Sequence, residues 1–253
     1  MATVLNDGRD SVHTNDPLPA NFPRMRAGYV AAVYYGQRRS GDFYDFVRVN
    51  PQCVLFGLFD VAGGLRETRT IMCQLQSAFR YVGPQLLQAA HGNISESMIE
   101  LWIRLNREVM QAADGVHSCP AFLGCYNEEN ETLSYVNAGH TPGLCRHDGQ
   151  VAELGPTALP LGLFSHTVPD CSVVFLGPGN GLLVFSKGMV EAKRRGEEYG
   201  LERAKRYFGE TNFQSAHETC VGLLSRVREF MGTAPTHDDV TALSLIREAR
   251  LPG

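Results

Sequence analysis

Residues 54–60 read Val54-Leu55-Phe56-Gly57-Leu58-Phe59-Asp60, an apolar run that ends in a carboxylate. Short, continuous apolar runs bounded by turn residues are typical of strands that are buried on both faces. The run therefore predicts a core strand whose end carries Asp60 out of the interior. A strand end is a rigid mount with open access, so Asp60 is a candidate functional carboxylate.

Asp238 and Asp42 occupy two further places at the edge of apolar runs. Asp238 precedes the strand-like run of residues 240–246, and Asp42 opens Gly41-Asp42-Phe43-Tyr44-Asp45, with two carboxylates three residues apart. Because glycine permits an unusual backbone angle, we expect that segment to be a loop that gathers oxygen ligands for a hard divalent cation. Taken singly, an Asp beside Gly or at a strand end is more often a turn former.

Five short segments give these carboxylates a common context. They are Gly41-Asp42-Phe43-Tyr44-Asp45, Phe59-Asp60-Val61-Ala62-Gly63-Gly64, Tyr135-Val136-Asn137-Ala138-Gly139-His140-Thr141-Pro142, Leu159-Pro160-Leu161-Gly162 and Asp238-Asp239-Val240-Thr241. Together, in this order, they resemble the SpoIIE/RsbU-like bacterial serine phosphatases of the metal-dependent PPM superfamily. No single segment is decisive, but five in register are specific. The resemblance runs from about Leu18 to Arg247.

The resemblance implies an α+β fold of the PPM type, an αββα sandwich of two packed, mainly antiparallel sheets flanked by helices. It also implies a centre of two Mg²⁺ or Mn²⁺ ions, at which Asp42, Asp60 and Asp238 are the catalytic residues. Asp60 would bridge the ions, the carbonyl of Val61 would contact one and Asp238 the other, while Asp42 would bind or orient metal waters. Two such ions lower the pKa of a shared water and clamp the phosphoryl oxygens.

Lys187 departs from the family pattern, because the chain reads Ser186-Lys187-Gly188 where the family has Thr-Asp-Gly. The missing Asp would share a metal with Asp60 and Asp238. Exchanging a carboxylate for an ammonium changes the local charge by two units, and each charge pair at 4 Å is worth about 4 kcal/mol at an effective dielectric near 20. Even after a several-fold discount for solvent, this weakens one metal by orders of magnitude. One ion or none is therefore possible here.

Two arrangements of Lys187 stay open from the sequence. Its ammonium could occupy the vacated metal position and pair with Asp60 and Asp238, or it could extend into solvent along its stem, as lysines commonly do. A surface ion pair with Glu191, four residues further on, fits the second arrangement.

The resemblance implies a protein serine/threonine phosphatase that acts on a phosphorylated regulatory protein, such as an anti-sigma-factor antagonist. The alternative is a pseudophosphatase, in which the altered position of Lys187 leaves a binding or regulatory module. His140 could be a general acid, but its place after a strand and before Pro142 favours a structural role in a turn.

The remaining composition bounds the organisation of the chain. Residues 1–17 are polar and predict a loose N-terminal arm, residues 18–248 a single phosphatase domain, and residues 249–253 a C-terminal tail. A net charge of −4 without a long basic run gives no support for nucleic-acid binding. Since no signal peptide and no apolar stretch of spanning length is present, we expect a cytoplasmic protein without a membrane partner. The sequence leaves the oligomeric state open.

Overall fold

The structure is a computed structural model that describes residues 17–35, 41–63, 65–89, 93–112, 118–212, 215–233 and 239–249. Most of the predicted N-terminal arm, the last four residues and Asp238 lie outside the described residues. The predicted boundaries near residues 17 and 248 therefore stay predictions. Within the described part of the chain, no helix is both long enough and apolar enough to cross a membrane.

Strands and helices follow one another in a mixed order along the chain. They are β1 (Gly28–Tyr35), β2 (Asp42–Arg48), β3 (Cys53–Asp60), α1 (Leu65–Ala89), α2 (Ile94–Ala112), β4 (Ala121–Asn127), β5 (Thr132–Ala138), β6 (Gly143–His147), β7 (Gln150–Leu154), β8 (Ser172–Phe175), β9 (Gly181–Phe185), α3 (Lys187–Val190), β10 (Lys193–Arg194), β11 (Glu197–Glu198), α4 (Leu201–Glu210), α5 (Ala216–Met231) and β12 (Val240–Arg247).

Two five-stranded sheets form the centre of the molecule. The first has the order β1-β12-β9-β6-β7, and the second has the order β2-β3-β4-β5-β8. The strand pairings in both sheets are antiparallel. A small hairpin of β10 and β11 follows α3. This arrangement agrees with the predicted pair of antiparallel sheets.

Three apolar layers hold the sheets and helices together. Phe56, Phe122 and Leu133 of the second sheet share a cluster with Leu182 and Leu243 of the first, so the two sheets pack face to face. The outer face of the second sheet packs against α1 and α2, and the outer face of the first against α4 and α5. The order of layers is therefore α-β-β-α, and the predicted sandwich is confirmed.

Burial on both faces explains why polar and apolar residues do not alternate along the core strands. All seven residues of β4 and all eight of β12 are buried, because each strand contacts a sheet on one side and helices on the other. The helices show instead the one-sided apolar stripe of amphipathic segments. In α2 this stripe is the predicted set Met98, Leu101, Trp102, Leu105 and Val109, each at most 1% exposed.

The segment that begins at Gly41 is not the predicted loop. Asp42 is the first residue of β2, and the strand continues through Asp45. Side chains alternate between the faces of a strand, so Asp42 and Asp45 project to opposite sides. The apolar residues that follow, including Phe43 and Phe46, are buried against the two layers that flank the strand, which favours the extended conformation.

Candidate functional site

Asp42 and Asp60 are directly opposite each other on neighbouring strands. They are partners in the antiparallel register of β2 and β3, next to the pair Phe43 and Phe59, whose rings stack at 4.5 Å. Opposed residues of an antiparallel pair have Cβ atoms about 5 Å apart, and two like charges in this position repel each other. A cation between the carboxylates would offset that repulsion, so the pair is suited to metal binding.

The backbone around Asp60 is fixed by the chain that precedes β4. The Asp60 amide donates to the Pro120 carbonyl at 2.9 Å, and the Ala62 amide donates to the Ser118 carbonyl at 2.9 Å. Cys119 lies between these acceptors and is fully buried. Burial, and then the negative charges of Asp60 and Asp42, raise the pKa of the Cys119 thiol, which keeps it neutral. These backbone hydrogen bonds fix the position of Asp60 at the end of β3, in agreement with the expected strand end.

The carbonyl of Val61 is packed against Gly41. The Val61 amide donates to the Gly41 carbonyl at 3.2 Å, and a Cβ added to Gly41 would lie 2.0 Å from the Val61 carbonyl oxygen. No side chain can be accommodated at such a distance, so glycine is required by a close approach of two backbones. This contact holds the Val61 carbonyl beside the residue that precedes Asp42.

Thr241 connects Asp42 to the opposite sheet. Its hydroxyl donates to Oδ2 of Asp42 at 2.8 Å, although Thr241 lies in β12 and Asp42 in β2. Its own amide donates to the Oγ of Ser186 at 3.0 Å, and the Ser186 amide donates back to the Thr241 carbonyl at 2.9 Å. Thr241 is not among the predicted site residues. Its signal is a hydroxyl inside an apolar strand, directly after the segment that carries Asp238 and Asp239.

Lys187 begins the short helix α3 directly after Ser186. Its Nζ lies 3.4 Å from Oε1 of Glu191, and the two side chains are 60% and 48% exposed. Within the described residues its ion pair is therefore with Glu191 and not with Asp60. This arrangement corresponds to the alternative in which Lys187 extends towards solvent, and the predicted surface pair with Glu191 is present.

A cavity of about 450 Å³ opens beside Asp60. One wall is formed by residues 139–142 and the other by residues of α3, β11 and the start of α4, so Asp60 and Lys187 line the same space. This volume is within the range of roughly 300–1,000 Å³ that is typical of ligand pockets. The cavity places the predicted site at a surface that a substrate can reach.

The Asp45 side chain and the His140 backbone both form hydrogen bonds inside the fold. Asp45 is fully buried and accepts hydrogen bonds from Arg80 of α1, at 2.5 and 3.1 Å, so it does not join Asp42 in gathering ligands. The His140 amide donates to Oδ1 of Asn137 at 2.8 Å, which fits the predicted turn. Burial lowers the pKa of His140 to about 4, and its ring is neutral near pH 7.

The donor atoms of the site fit a hard divalent cation in part. Asp42, Asp60 and the Val61 carbonyl offer oxygen ligands, which Mg²⁺ and Mn²⁺ prefer. Yet among the described residues no group of three or more His, Cys, Asp or Glu side chains could hold a metal ion. Lys187 does not fit a ligand position, and Asp238 lies outside the described residues. The described atoms therefore match part of one metal centre.

Comparison with known proteins finds a longer protein that is similar to most of this chain. Protein IcfG of Synechocystis sp. (strain ATCC 27184 / PCC 6803 / Kazusa) is 22% identical over 251 residues, which cover 91% of this chain and 39% of that protein. The chain thus spans about two-fifths of the length of this relative. The similarity to Protein IcfG therefore covers less than half of that protein.

Solved structures show the same fold at low sequence identity. The SiaA-PP2C domain of Pseudomonas aeruginosa superposes with a TM-score of 0.70 at 19% identity, covering 86% of this chain and 85% of that one. The RsbU and RsbW domains of Rv1364c from Mycobacterium tuberculosis give 0.70 at 24% identity, covering 89% and 63%. RsbX in complex with magnesium gives 0.61 at 11% identity, covering 89% and 98%.

The family itself is shown by the sequence model of stage II sporulation protein E (SpoIIE), which matches residues 50–248. That range contains Asp60, Val61 and Lys187, and most of the two sheets. Over this range the chain belongs to the SpoIIE family, and it has the fold of the SiaA-PP2C domain.

Proposed function

We propose that this domain removes phosphate from a serine or threonine of a phosphorylated regulatory protein, such as an anti-sigma-factor antagonist. The observation that carries the proposal is the opposed pair Asp42 and Asp60 beside the Val61 carbonyl. Mg²⁺ or Mn²⁺ is the proposed cofactor, with Asp238 as a further ligand. The magnesium complex of RsbX supports this choice of ion.

In this proposal the chain holds its reactants rather than reacting covalently. A bound divalent ion supplies a water of lowered pKa and neutralises phosphoryl oxygens. Asp42 and Asp60 would hold the ion where β2 begins and β3 ends, while the hydrogen bond from Thr241 fixes the orientation of Asp42. The cavity beside Asp60 admits the phosphorylated segment of the substrate.

A pseudophosphatase is the second candidate, and the position of Lys187 favours it. Its ammonium lines the cavity together with Asp60, where the family pattern has a carboxylate. Because the side chain is 60% exposed and pairs with Glu191, it leaves the space beside Asp60 accessible. The expected result is weakened metal binding rather than a blocked site, so we place turnover first and binding without turnover second.

Location in the cytoplasm belongs to the same proposal, because phosphorylated regulatory proteins of this kind act there. The seven cysteines support it, since all are free thiols and structural disulfides are rare in that compartment.

The experiment that tests the proposal is Mn²⁺-dependent hydrolysis of p-nitrophenyl phosphate, together with Mn²⁺ binding by titration calorimetry. Asp60→Asn should abolish turnover and weaken Mn²⁺ binding, whereas Asp148→Asn, a change at an exposed Asp outside the site, should alter neither. Lys187→Asp should strengthen Mn²⁺ binding by at least about tenfold, because it exchanges a repelling charge for a ligand. Lys205→Asp makes the same charge change on α4 and should not.

The outcomes separate the two candidates. Turnover by the native chain that is lost in Asp60→Asn supports the phosphatase. Turnover by Lys187→Asp alone supports the pseudophosphatase. Unchanged activity in Asp60→Asn would show that the site lies elsewhere.

A further inference from the structure

The described part of the chain concentrates its exposed apolar side chains in one segment. Ten large apolar side chains of that part are exposed, and five of them lie between residues 159 and 175. These five are Leu159, Phe164, Val168, Val173 and Phe175, and their exposed fractions range from 44% to 89%. Apolar residues that are exposed singly are normal, but a concentration of them in one segment marks an interaction surface.

The same segment carries almost no charge. Residues 155–181 contain one charged side chain, that of Asp170, whereas 20% of the whole chain is charged. Depletion of charge together with aromatic residues is typical of the central part of a protein–protein interface. Because the chain has a net charge of −4, a face that is nearly free of charge lets a second copy approach without like-charge repulsion.

Strand β8 gives this segment an open sheet edge. In the described part of the chain, β8 pairs with β5 and is the last strand of its sheet. It contains neither proline nor a charged residue, and these are usual means by which proteins block pairing at an edge. Such an edge offers backbone donors and acceptors to a further strand.

Two residues of β8 direct their backbone groups away from β5. The Leu176 amide donates to the Glu131 carbonyl at 2.7 Å, and this pair continues the register of the two strands. Hydrogen-bonded and non-hydrogen-bonded pairs alternate along antiparallel strands, so the N–H and C=O groups of Val173 and Phe175 point outward. The side chains of these two residues are also the exposed ones, since Val174 packs against the cluster between the sheets.

We propose that two copies of this chain associate through β8, in an antiparallel pairing about a two-fold axis that joins two five-stranded sheets into one. Val173 pairs with Phe175 of the second copy, and the same pair forms again on the other side of the axis. Each pair exchanges both backbone hydrogen bonds and places an aliphatic side chain beside an aromatic one, which stabilises neighbouring strands. Because the pairing uses the β8 edge of both copies, it is closed and stops at a dimer.

A second copy fits this edge better than a flexible peptide does. A peptide must lose conformational entropy to become a strand, whereas β8 of a second copy is already extended. A folded copy also brings its own exposed Phe164 and Val168, whose burial adds apolar area to the contact. Specific interfaces bury about 800 Å² per partner, and a four-residue strand supplies only part of that area, so we expect a reversible dimer.

Analytical ultracentrifugation of the full chain over a concentration series measures the association. The mass should rise from that of one chain, 27.8 kDa, towards twice that value as the concentration increases. Val173→Lys places like charges beside the axis and should raise the dissociation constant of the dimer at least about tenfold. Tyr29→Lys makes the same kind of change on β1, the edge strand of the other sheet, where Tyr29 is 48% exposed, and should leave the constant unchanged.

Two proline variants test the strand pairing itself, because proline has no backbone N–H to donate. Val173→Pro removes an amide that points outward, so it should weaken the dimer at least about tenfold and keep the denaturant midpoint of the monomer close to native. Val174→Pro removes an amide that points towards β5 and should lower that midpoint. An equal loss of stability in both variants would contradict the outward direction of the Val173 backbone, and the pairing with it.

The outcomes decide the inference independently of the proposed function, because the dimer does not require that the chain hydrolyses phosphate. A chain that stays monomeric at every concentration overturns the dimer. A dimer that is unaffected by Val173→Lys, or that is lost in Tyr29→Lys instead, overturns the assignment to β8.

Discussion

The hydroxyl of Thr241 donates a 2.8 Å hydrogen bond to Oδ2 of Asp42, across 199 positions of sequence and from one sheet to the other. β2 is an edge strand of its sheet, and Thr241 lies near the start of β12 in the opposite sheet. The contact therefore joins the two sheets at the point where the carboxylates lie. A change in the packing of the two sheets would separate the Thr241 hydroxyl from the Asp42 carboxylate.

Thr241→Val keeps the shape of the side chain but removes the hydroxyl that donates to Asp42. Loss of a hydrogen bond to a charged group costs about 1.5–3 kcal/mol, so we expect the free energy of unfolding to fall by about that amount. Mn²⁺ binding should weaken as well, because the orientation of Asp42 is no longer fixed. Denaturant unfolding and titration calorimetry measure the two effects.

Ser244→Ala is the matched control for this change. Ser244 lies on the same strand, is fully buried, and donates to the Leu182 carbonyl at 3.1 Å, away from the carboxylates. The Ser244→Ala protein should have a lower free energy of unfolding and an unchanged affinity for Mn²⁺. Equal affinities in Thr241→Val and the native chain would contradict a positioning role for Thr241.

Gly41→Ala should disturb the backbone around Val61. The new Cβ would lie 2.0 Å from the Val61 carbonyl oxygen, so β2 and the segment after β3 must separate. Overpacking of this kind costs about 1–3 kcal/mol, and we expect a loss of unfolding free energy in that range together with weaker Mn²⁺ binding.

Gly155→Ala provides the comparison, because a Cβ at Gly155 would meet no atom within 4 Å. Its denaturant midpoint should stay close to that of the native chain. A Gly41→Ala protein with native stability and native Mn²⁺ affinity would show that the Val61 carbonyl is not held as described.

His140 should make the stability of the domain depend on pH. Burial lowers its pKa in the folded state to about 4, whereas an unfolded histidine has a pKa of about 6.5. Between these values the unfolded chain binds the proton and the folded chain does not, so stability falls as the pH is lowered from about 6.5 towards 4. The gap between the two pKa values corresponds to about 3 kcal/mol.

Urea unfolding at a series of pH values between 7 and 4.5 measures this slope. His140→Gln should flatten it, while His166→Gln, at an exposed position, should leave it unchanged. Identical slopes in the native chain and in His140→Gln would contradict a buried neutral imidazole.

Individual strands and helices could be predicted because local patterns report burial directly, whereas the αββα layers followed from the resemblance to the family. The run that ends at Asp60 became β3, and the stripe around Trp102 became the buried face of α2. The same logic failed at Gly41-Asp42-Phe43-Tyr44-Asp45, where the glycine suggested a loop. The segment is a strand because its aromatic residues pack against neighbouring layers, and no local signal revealed those neighbours.

The residue types of the candidate site could be read from the sequence, but the side-chain contacts of those residues could not. The order of five segments identified the family, and the structure brings Asp42, Asp60 and Val61 together. Asp45 has the same residue type as Asp42, but it lies on the opposite face of β2 and binds Arg80. The alternation of side chains along a strand separates the two, and this became visible only once the segment was known to be a strand.

The sequence by itself determined the family, and through the family the expected layer order, because residue types and the order of short segments identify a family. It also determined the place of Lys187 at a position where relatives have a carboxylate. The tertiary structure alone decided that Lys187 faces Glu191, that Thr241 holds Asp42, and that a cavity of about 450 Å³ lies beside Asp60. Such contacts join residues from distant parts of the chain. They follow from how two sheets pack face to face, which no local pattern encodes.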